Sequence, residues 1–215
     1  MQGAEPAAGV LYLVGTPIGN LADLSPRARQ VLAGVSRIAC EDTRRSGLLL
    51  HQLGLRQKDQ GPRLVSFHAH NQTARIPELL AALAAGEALA VISDAGLPGI
   101  SDPGEALVAA ARTAGLAVIC VPGPSAVTTA LVSSGLPSGR FCFEGFLPPK
   151  ATQRRQRADG DEKPRRLVIQ RGAAKGGGTI GLAGDAHHAA IGLEQRIEAR
   201  LHLHRPPRRN HSPHG

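Results

Sequence analysis

Acidic and histidine side chains follow three short predicted strands of this sequence. Glu41 and Asp42 come directly after 37–40, His68 comes after 64–67, and Asp94 lies just beyond 89–92. A carboxylate or an imidazole at such a place can take a proton or orient a substrate hydroxyl group. The pattern therefore predicts binding or acid–base chemistry at the ends of these strands.

Structural roles remain open for the same residues. Asp42 or Thr43 can cap the helix predicted to begin there, and a histidine such as His68 can be a solvated turn residue. His68 and His70 lack a third ligand at a convincing spacing, so no metal site is predicted. The sequence contains no Ser-His-Asp motif, G-x-S-x-G or H-E-x-x-H.

The most unusual loop of the chain follows the apolar run 89–92. Residues 94–104 contain three glycines, two prolines and two aspartates. The spacing predicts a helix after this loop, with Asp102 as N-cap, Pro103 at the first helical position and Glu105 at the capping-box position. Ligands bind at the carboxyl ends of strands in α/β sheets. The loop is therefore interpreted as a ligand loop, the alternative being an ordinary strand-to-helix connection.

Glycines also follow the first predicted strand, at Gly15 and Gly19. The segment lacks the G-x-G-x-x-G fingerprint, so a nicotinamide-dependent oxidoreductase is a distant alternative. Gly176–Thr179 has no G-K-[ST] and follows no convincing strand, so it is not interpreted as a phosphate loop.

Five apolar runs alternate with five helical patterns over the first 134 residues. This alternation predicts an α/β fold with a mostly parallel sheet. The strands are predicted over 10–14, 37–40, 64–67, 89–92 and 116–121. The helices are predicted over about 26–35, 43–53, 74–85, 103–114 and 125–134. Pro122-Gly123-Pro124 is interpreted as a hinge. This predicts a flexible N-terminus over 1–9, an N-terminal α/β domain over 10–121 and the start of a second, incomplete α/β domain over 122–157.

Composition excludes several classes of protein. No apolar run is long enough to span a membrane, and Met1–Gly9 does not have the form of a signal peptide. Cys40, Cys120 and Cys142 are far apart and are predicted to be reduced and buried, which fits a cytoplasmic protein.

The net charge of +8 is distributed unevenly. Residues 1–150 carry 12 Lys and Arg against 11 Asp and Glu, whereas residues 151–215 carry 13 against 6. The basic character therefore belongs to the last part of the chain and does not by itself predict a nucleic-acid-binding face.

Several motifs agree when they are considered together. The sequences LVGTPIGNL, CEDTR, SFHAHN, SDAGLPGISDPG and VPGPSA occur in this order within residues 13–126. In this combination the chain resembles the tetrapyrrole (corrin/porphyrin) methylase superfamily, and within it the branch that methylates the ribose 2′-hydroxyl of a cytidine in small-subunit ribosomal RNA. The resemblance covers about residues 10–150.

The resemblance implies a two-domain α/β enzyme, a homodimer, that binds S-adenosylmethionine between its domains. It implies cofactor contacts from Pro17, Asp94, Ala95, Gly96, Ile100, Ser125 and Ala126. It places Glu41, Asp42 and His68 on the substrate side as candidate catalytic groups. Local RNA contacts are expected from Arg44, Arg45 and Asn71. The alternatives are a methylase of a small tetrapyrrole and an inactive remnant of the RNA enzyme.

The sequence departs from the family pattern after about residue 157. The resemblance implies a longer second domain with a strand ending in Tyr-Glu and a His-Arg turn, and neither follows Leu167–Ile169. Residues 158–215 are rich in Gly, Pro, Arg and His, which predicts disorder or poor packing apart from Leu167–Ile169 and a weak helix over 193–203. A reading frame lost between about Arg157 and Gly172 is the hypothesis for this tail, and nucleotide resequencing would test it.

Overall fold

The computed structural model describes residues 6–57, 60–135, 138, 139, 141–146, 150, 152, 153, 166–174, 177–182 and 199–202. The chain forms two compact units, Met1–Ala126 and Val127–Gly215. Most of the predicted tail and the proposed frame change lie outside the described residues.

The first unit is built on a five-stranded parallel sheet with the strand order β3-β2-β4-β1-β5. Its strands are β1 (Val10–Val14), β2 (Arg37–Cys40), β3 (Arg63–Ser66), β4 (Leu89–Ile92) and β5 (Ala117–Val121). Its helices are α1 (Pro26–Gly34), α2 (Thr43–Gln52), α3 (Gln72–Ala84) and α4 (Gly104–Thr113), and α5 (Ala126–Ser133) belongs to the second unit apart from its first residue. The predicted α/β class and parallel pairing are confirmed.

Two apolar clusters cover the two faces of this sheet. Tyr12, Ile38 and Ile92 point to the face that holds Val31 of α1 and Leu50 of α2. Their neighbours along the strands, such as Leu11 and Val91, point to the opposite face, against α3 and α4. Because successive side chains of a strand alternate between faces, a sheet buried on both sides requires continuous apolar runs.

Arg37 lies at the amino end of β2, on the opposite side of the sheet from the predicted site, and stabilises the sheet there. Its Nε and Nη2 donate to the two carboxylate oxygens of Glu87 at 2.8 and 2.7 Å. Nη1 also donates to Glu78 of α3 at 3.4 Å. The Arg37 hydrogen bond lowers the pKa of the Glu87 carboxyl. This bidentate pair ties β2 to the entry of β4.

Cys40 is buried as predicted, whereas Cys120 is exposed, so that prediction is wrong. The reason is the strand order, which puts β5 at an edge of the sheet. The side chain of Cys142 lies outside the described residues.

The second unit contains β6 (Cys142–Phe146), β7 (Arg166–Ala174), β8 (Gly177–Leu182) and β9 (Ala199–His202). Strand β7 pairs in parallel with β6 and antiparallel with β8 and β9. The described end of the predicted weak helix is therefore a strand, because pairing with β7 satisfies its backbone. Strand β8 forms although three of its six residues are glycines, because the hydrogen bonds that pair it with β7 come from the backbone and need no side chains.

Candidate functional site

The five strands of the first unit end in one row. Val14 is in register with Ile92 and Val121, and Cys40 is in register with Ile92 and Ser66. All five following loops therefore start at the same edge of the sheet, and every predicted site residue lies in one of these loops or just after it. This edge is the candidate functional site.

The centre of the row is the point where the chain changes direction across the sheet. From β1 the chain passes over β4 to reach β2, and from β4 it passes over β1 to reach β5. Helices α1 and α4, which make these crossings, pack on opposite faces. A crevice forms between two loops that leave in opposite directions, and such crevices bind ligands in α/β proteins.

Thr16 joins these two loops. Its backbone N–H donates to the carbonyl of Gly96 at 3.0 Å, and the N–H of Gly96 donates back to Thr16 at 3.0 Å. The fully buried Thr16 hydroxyl donates to the carbonyl of Ser93, also at 3.0 Å. The sequence motifs include Thr16 but do not reveal this function, because its partners lie about eighty positions away.

Replacement of Thr16 tests this join. We expect Thr16→Val to lower the free energy of unfolding by about 1–3 kcal/mol, because the buried Ser93 carbonyl loses its donor while the side-chain shape is kept. Thr113→Val is the matched control, since the Thr113 hydroxyl makes a similar bond to Ala109 on an exposed helix surface; its effect should stay within about 0.5 kcal/mol. Urea unfolding measures both, and equal losses would contradict this assignment.

Glycines bring the third central loop, which follows β5, against the other two. A Cβ atom on Gly15 would lie 3.2 Å from the Cα of Gly123. Gly96, with φ +88°, faces Ile18, and a Cβ there would lie 3.7 Å from the carbonyl oxygen of Pro124 and 4.0 Å from the N of Ala126. Ile18, Gly96 and Ala126, which belong to three different loops, thus lie close together. Ser125 and Ala126, expected to come from the second domain, belong to the first unit.

Asp102 shapes the long loop in a different way from the prediction. Its Oδ1 accepts hydrogen bonds from the N–H groups of Gly99 and Gly104 at 2.8 and 2.7 Å. Helix α4 begins at Gly104 with Pro103 as its N-cap, so the predicted capping box is wrong by one residue. The carboxylate instead closes the turn that contains Ile100, and Ser101 adopts a positive φ of 60° within it.

Asp42 is the N-cap of α2, the structural alternative considered for it. Oδ1 accepts from the N–H groups of Arg44 and Arg45 at 2.8 and 3.3 Å. These backbone hydrogen bonds hold the pKa of the Asp42 carboxyl below the ordinary aspartate value of 3.8. Glu41 beside it is exposed.

The lowered pKa predicts an acid-sensitive helix start. The stabilisation from Asp42 should be complete above about pH 4 and lost as the pH falls through the lowered value, because the protonated cap accepts less well. Asp42→Ala should lower the thermal midpoint at pH 7 by a few degrees. Asp42→Asn should keep most of the cap at pH 7 but show a smaller acid-induced loss of stability. Thermal unfolding from pH 7 to 3 measures this, and identical pH profiles for wild type and Asp42→Asn would contradict it.

Asn71 organises the loop after β3. Its Oδ1 accepts from the N–H of His68 at 2.8 Å and its Nδ2 donates to the carbonyl of Ser66 at 3.1 Å. The two histidine rings, His68 and His70, meet edge to face with centroids 5.9 Å apart. His68 Nδ1 is buried and has no hydrogen-bond partner among the described residues. The Asn71 amide is therefore used to hold His68 in place.

Asp94 connects the outer loops with the central crevice. Its Oδ2 lies 3.0 Å from Nη1 of Arg45, and its side chain is 14% exposed against 73% for Arg45. Asp94 Oδ1 is buried without a partner in the described part of the chain. A buried acceptor without a donor is costly, and this one lies where a bound ligand could complete it.

The site combines closely packed loops with a buried hydrogen-bond acceptor. Backbones approach one another at Gly15, Gly96 and Gly123. Asp94 Oδ1, which has no partner among the described residues, suits a hydroxyl or amine donor. Within the described ranges, no group of three or more His, Cys, Asp or Glu side chains could hold a metal ion. No helix in that part of the chain has the length and apolarity that crossing a bilayer demands.

Comparison with known proteins gives the family. A match to the family described as Tetrapyrrole (Corrin/Porphyrin) Methylases extends over residues 10–195. The chain belongs to the tetrapyrrole methylase family. The predicted resemblance is thus confirmed, and so is the predicted cofactor, because tetrapyrrole methylases depend on S-adenosylmethionine.

Curated relatives in this family carry the name ribosomal RNA small subunit methyltransferase I. The Escherichia coli O157:H7 protein is 49% identical over 169 residues, covering 78% of this chain and 57% of the relative. The Xylella fastidiosa protein is 51% identical over 162 residues, covering 75% and 58%. The Mesorhizobium japonicum protein is 45% identical over 201 residues, covering 89% and 65%. The chain thus spans little more than half the length of the first two.

Solved structures of tetrapyrrole methylase fold share the architecture. Uroporphyrin-III-C-methyltransferase from Thermus thermophilus superposes with a TM-score of 0.51 at 22% identity, over 75% of this chain and 67% of that one. Diphthine synthase superposes with a TM-score of 0.53 at 14% identity, over 75% and 64%. At these identities the likeness shows the fold alone.

Proposed function

We propose that this tetrapyrrole methylase transfers a methyl group from S-adenosylmethionine to the ribose 2′-hydroxyl of a cytidine in small-subunit ribosomal RNA. The observation that carries the proposal is the close approach of three segments, Gly15–Pro17, Asp94–Gly96 and Pro124–Ala126, at one edge of the sheet. It occurs in a chain that is 49% identical over 169 residues to an RNA methyltransferase named above. The cytoplasm is the compartment in which such an enzyme would meet its substrate, and we propose a homodimer.

Alignment of the acceptor is the main task of the site. When bound, S-adenosylmethionine would supply its sulfonium methyl group for in-line transfer to the ribose oxygen, with the neutral thioether as leaving group and the hydroxyl proton passing to a base. Correct placement of the two reactants accounts for most of the acceleration in such a step. Pro17, Asp94, Ala95, Gly96, Ile100, Ser125 and Ala126 would hold the cofactor, and the loops after β2 and β3 would hold the ribose.

A ribose hydroxyl is a weak nucleophile, so a nearby proton acceptor assists it. Glu41, Asp42 and His68 are the candidates. Asp42 is the poorest base of the three, because its carboxylate already caps α2 and its pKa is lowered. His68 is held by Asn71, and its buried Nδ1 has no hydrogen-bond partner in the described part of the chain. We therefore assign proton acceptance to His68 within this proposal.

RNA would be bound through local cations. Arg44 and Arg45 lie in the first turn of α2, and their side chains are 94% and 73% exposed. Arginine binds phosphate oxygens well, and phosphate contacts position a nucleic acid without selecting its sequence. The nearly neutral first 150 residues make these two side chains important for substrate binding.

The test is methyl transfer from labelled S-adenosylmethionine to small ribosomal subunits from cells that lack the native enzyme. We expect label at a cytidine that resists alkaline hydrolysis, since a 2′-O-methyl group blocks cleavage there. Label in a porphyrinogen acceptor instead would support the small-molecule alternative. Cofactor binding without transfer to either acceptor would support the inactive remnant.

A further inference from the structure

We propose that Arg45 is a positioning residue for Asp94, and that it raises the affinity of the site for S-adenosylmethionine in the absence of RNA. This inference rests on the proposed function. It gives Arg45 a second role beside the phosphate contact expected from its exposure.

The geometry separates Arg45 from its neighbour. Nη1 of Arg45 donates to Asp94 Oδ2 at 3.0 Å, across 49 positions of sequence. Nε of Arg44 comes only within 3.9 Å of Asp42 on its own loop. Both arginines are exposed cations at the start of α2, but only Arg45 reaches the loop that follows β4.

The position of Asp94 explains why such a partner matters. Its backbone lies between Ser93, whose carbonyl is held by Thr16, and Gly96, whose backbone is paired with Thr16. The main chain is therefore fixed, while rotation of the carboxylate is not. The Arg45 guanidinium holds Oδ2 on the outer side, which keeps Oδ1 buried, where it has no partner among the described residues. A fixed acceptor binds a ligand donor with a smaller entropic cost.

The experiment measures cofactor affinity without any RNA. Isothermal titration calorimetry with S-adenosylmethionine compares wild type with Arg45→Ala, Arg45→Lys and Arg44→Ala. A partly exposed ion pair has a modest effect. We therefore expect Arg45→Ala to raise the dissociation constant about threefold to fivefold. Arg45→Lys should restore it to within about twofold, and Arg44→Ala should bind like wild type.

A coupling measurement completes the test. Arg45→Ala should have no further effect on affinity in an Asp94→Asn background, because the partner charge is gone. Thermal unfolding of Arg45→Ala should match wild type within about two degrees, which separates positioning from loss of fold.

The outcomes distinguish this inference from the proposed function. Wild-type affinity in Arg45→Ala, with equal losses of RNA methylation in Arg44→Ala and Arg45→Ala, would make Arg45 a simple RNA contact and overturn the positioning role alone. Failure of the folded wild type to bind S-adenosylmethionine would overturn the proposed function and this inference with it.

Discussion

Gly15→Val is expected to reduce methyl transfer about a hundredfold. A Cβ at this position would lie 3.2–3.3 Å from backbone atoms of Gly123 and Pro124, which cannot rotate away. The two branches of valine add to the overlap, so the loops after β1 and β5 must move apart. A displacement of about 1 Å at a reacting centre can cost about two orders of magnitude in rate. Labelled methyl incorporation into small ribosomal subunits measures the loss.

Gly139→Val is the control for Gly15→Val, because a Cβ on Gly139 would meet no atom of the described residues within 4 Å. It should leave stability and cofactor affinity unchanged. Gly15→Val should also lower the free energy of unfolding by about 1–3 kcal/mol, the usual cost of overpacking. A folded Gly15→Val protein with wild-type affinity for S-adenosylmethionine would show that contact between these loops does not shape the cofactor site.

Asp94→Asn should weaken S-adenosylmethionine binding about tenfold to a hundredfold. The substitution keeps the shape of the side chain but removes its charge and, with it, the ion pair with Arg45. Hydrogen bonds to charged groups contribute about 1.5–3 kcal/mol, which corresponds to this range. Calorimetric titration of the purified variant measures the effect.

Glu105→Gln provides the matched control, because it makes the same carboxylate-to-amide change on an exposed residue of the first turn of α4. Its affinity should equal that of wild type. If Asp94→Asn also binds S-adenosylmethionine within about twofold of wild type, residues 94–96 contribute only backbone contacts to the cofactor site, and the role assigned to the Asp94 carboxylate is wrong.

The local elements were predictable because apolar runs and glycine or proline breaks mark their ends. Strands β1, β2 and β4 have the predicted bounds, β3 begins and ends one residue earlier than predicted, and β5 begins one residue later. Helix α3 starts at Gln72 rather than near residue 74, because Asn71 turns the chain earlier. The periodicity of apolar residues indicates which positions are buried, and it can be read from a single sequence.

The contacts between distant segments were not predictable in the same way. The pairing of β1 with β4 brings Thr16 to Gly96, and the pairing of β2 with β4 brings Arg45 to Asp94. Neither juxtaposition leaves a local pattern, since each depends on strand order. Asp102 is a related case, because its spacing suits a capping box while its carboxylate closes the turn at Gly99 instead.

The two parts of the site are held together by different kinds of contact. Main-chain hydrogen bonds and glycine contacts hold the loops after β1, β4 and β5, whereas the side chains of Asp42 and Asn71 hold the loops after β2 and β3. Exchange of residues 41–44 and 68–71 for those of a relative would therefore carry most of the supports of these two loops with it, while Arg45 would stay in place to hold Asp94. Under the proposed function, such an exchange would alter the acceptor side of the site and leave the contacts that hold the donor side unchanged.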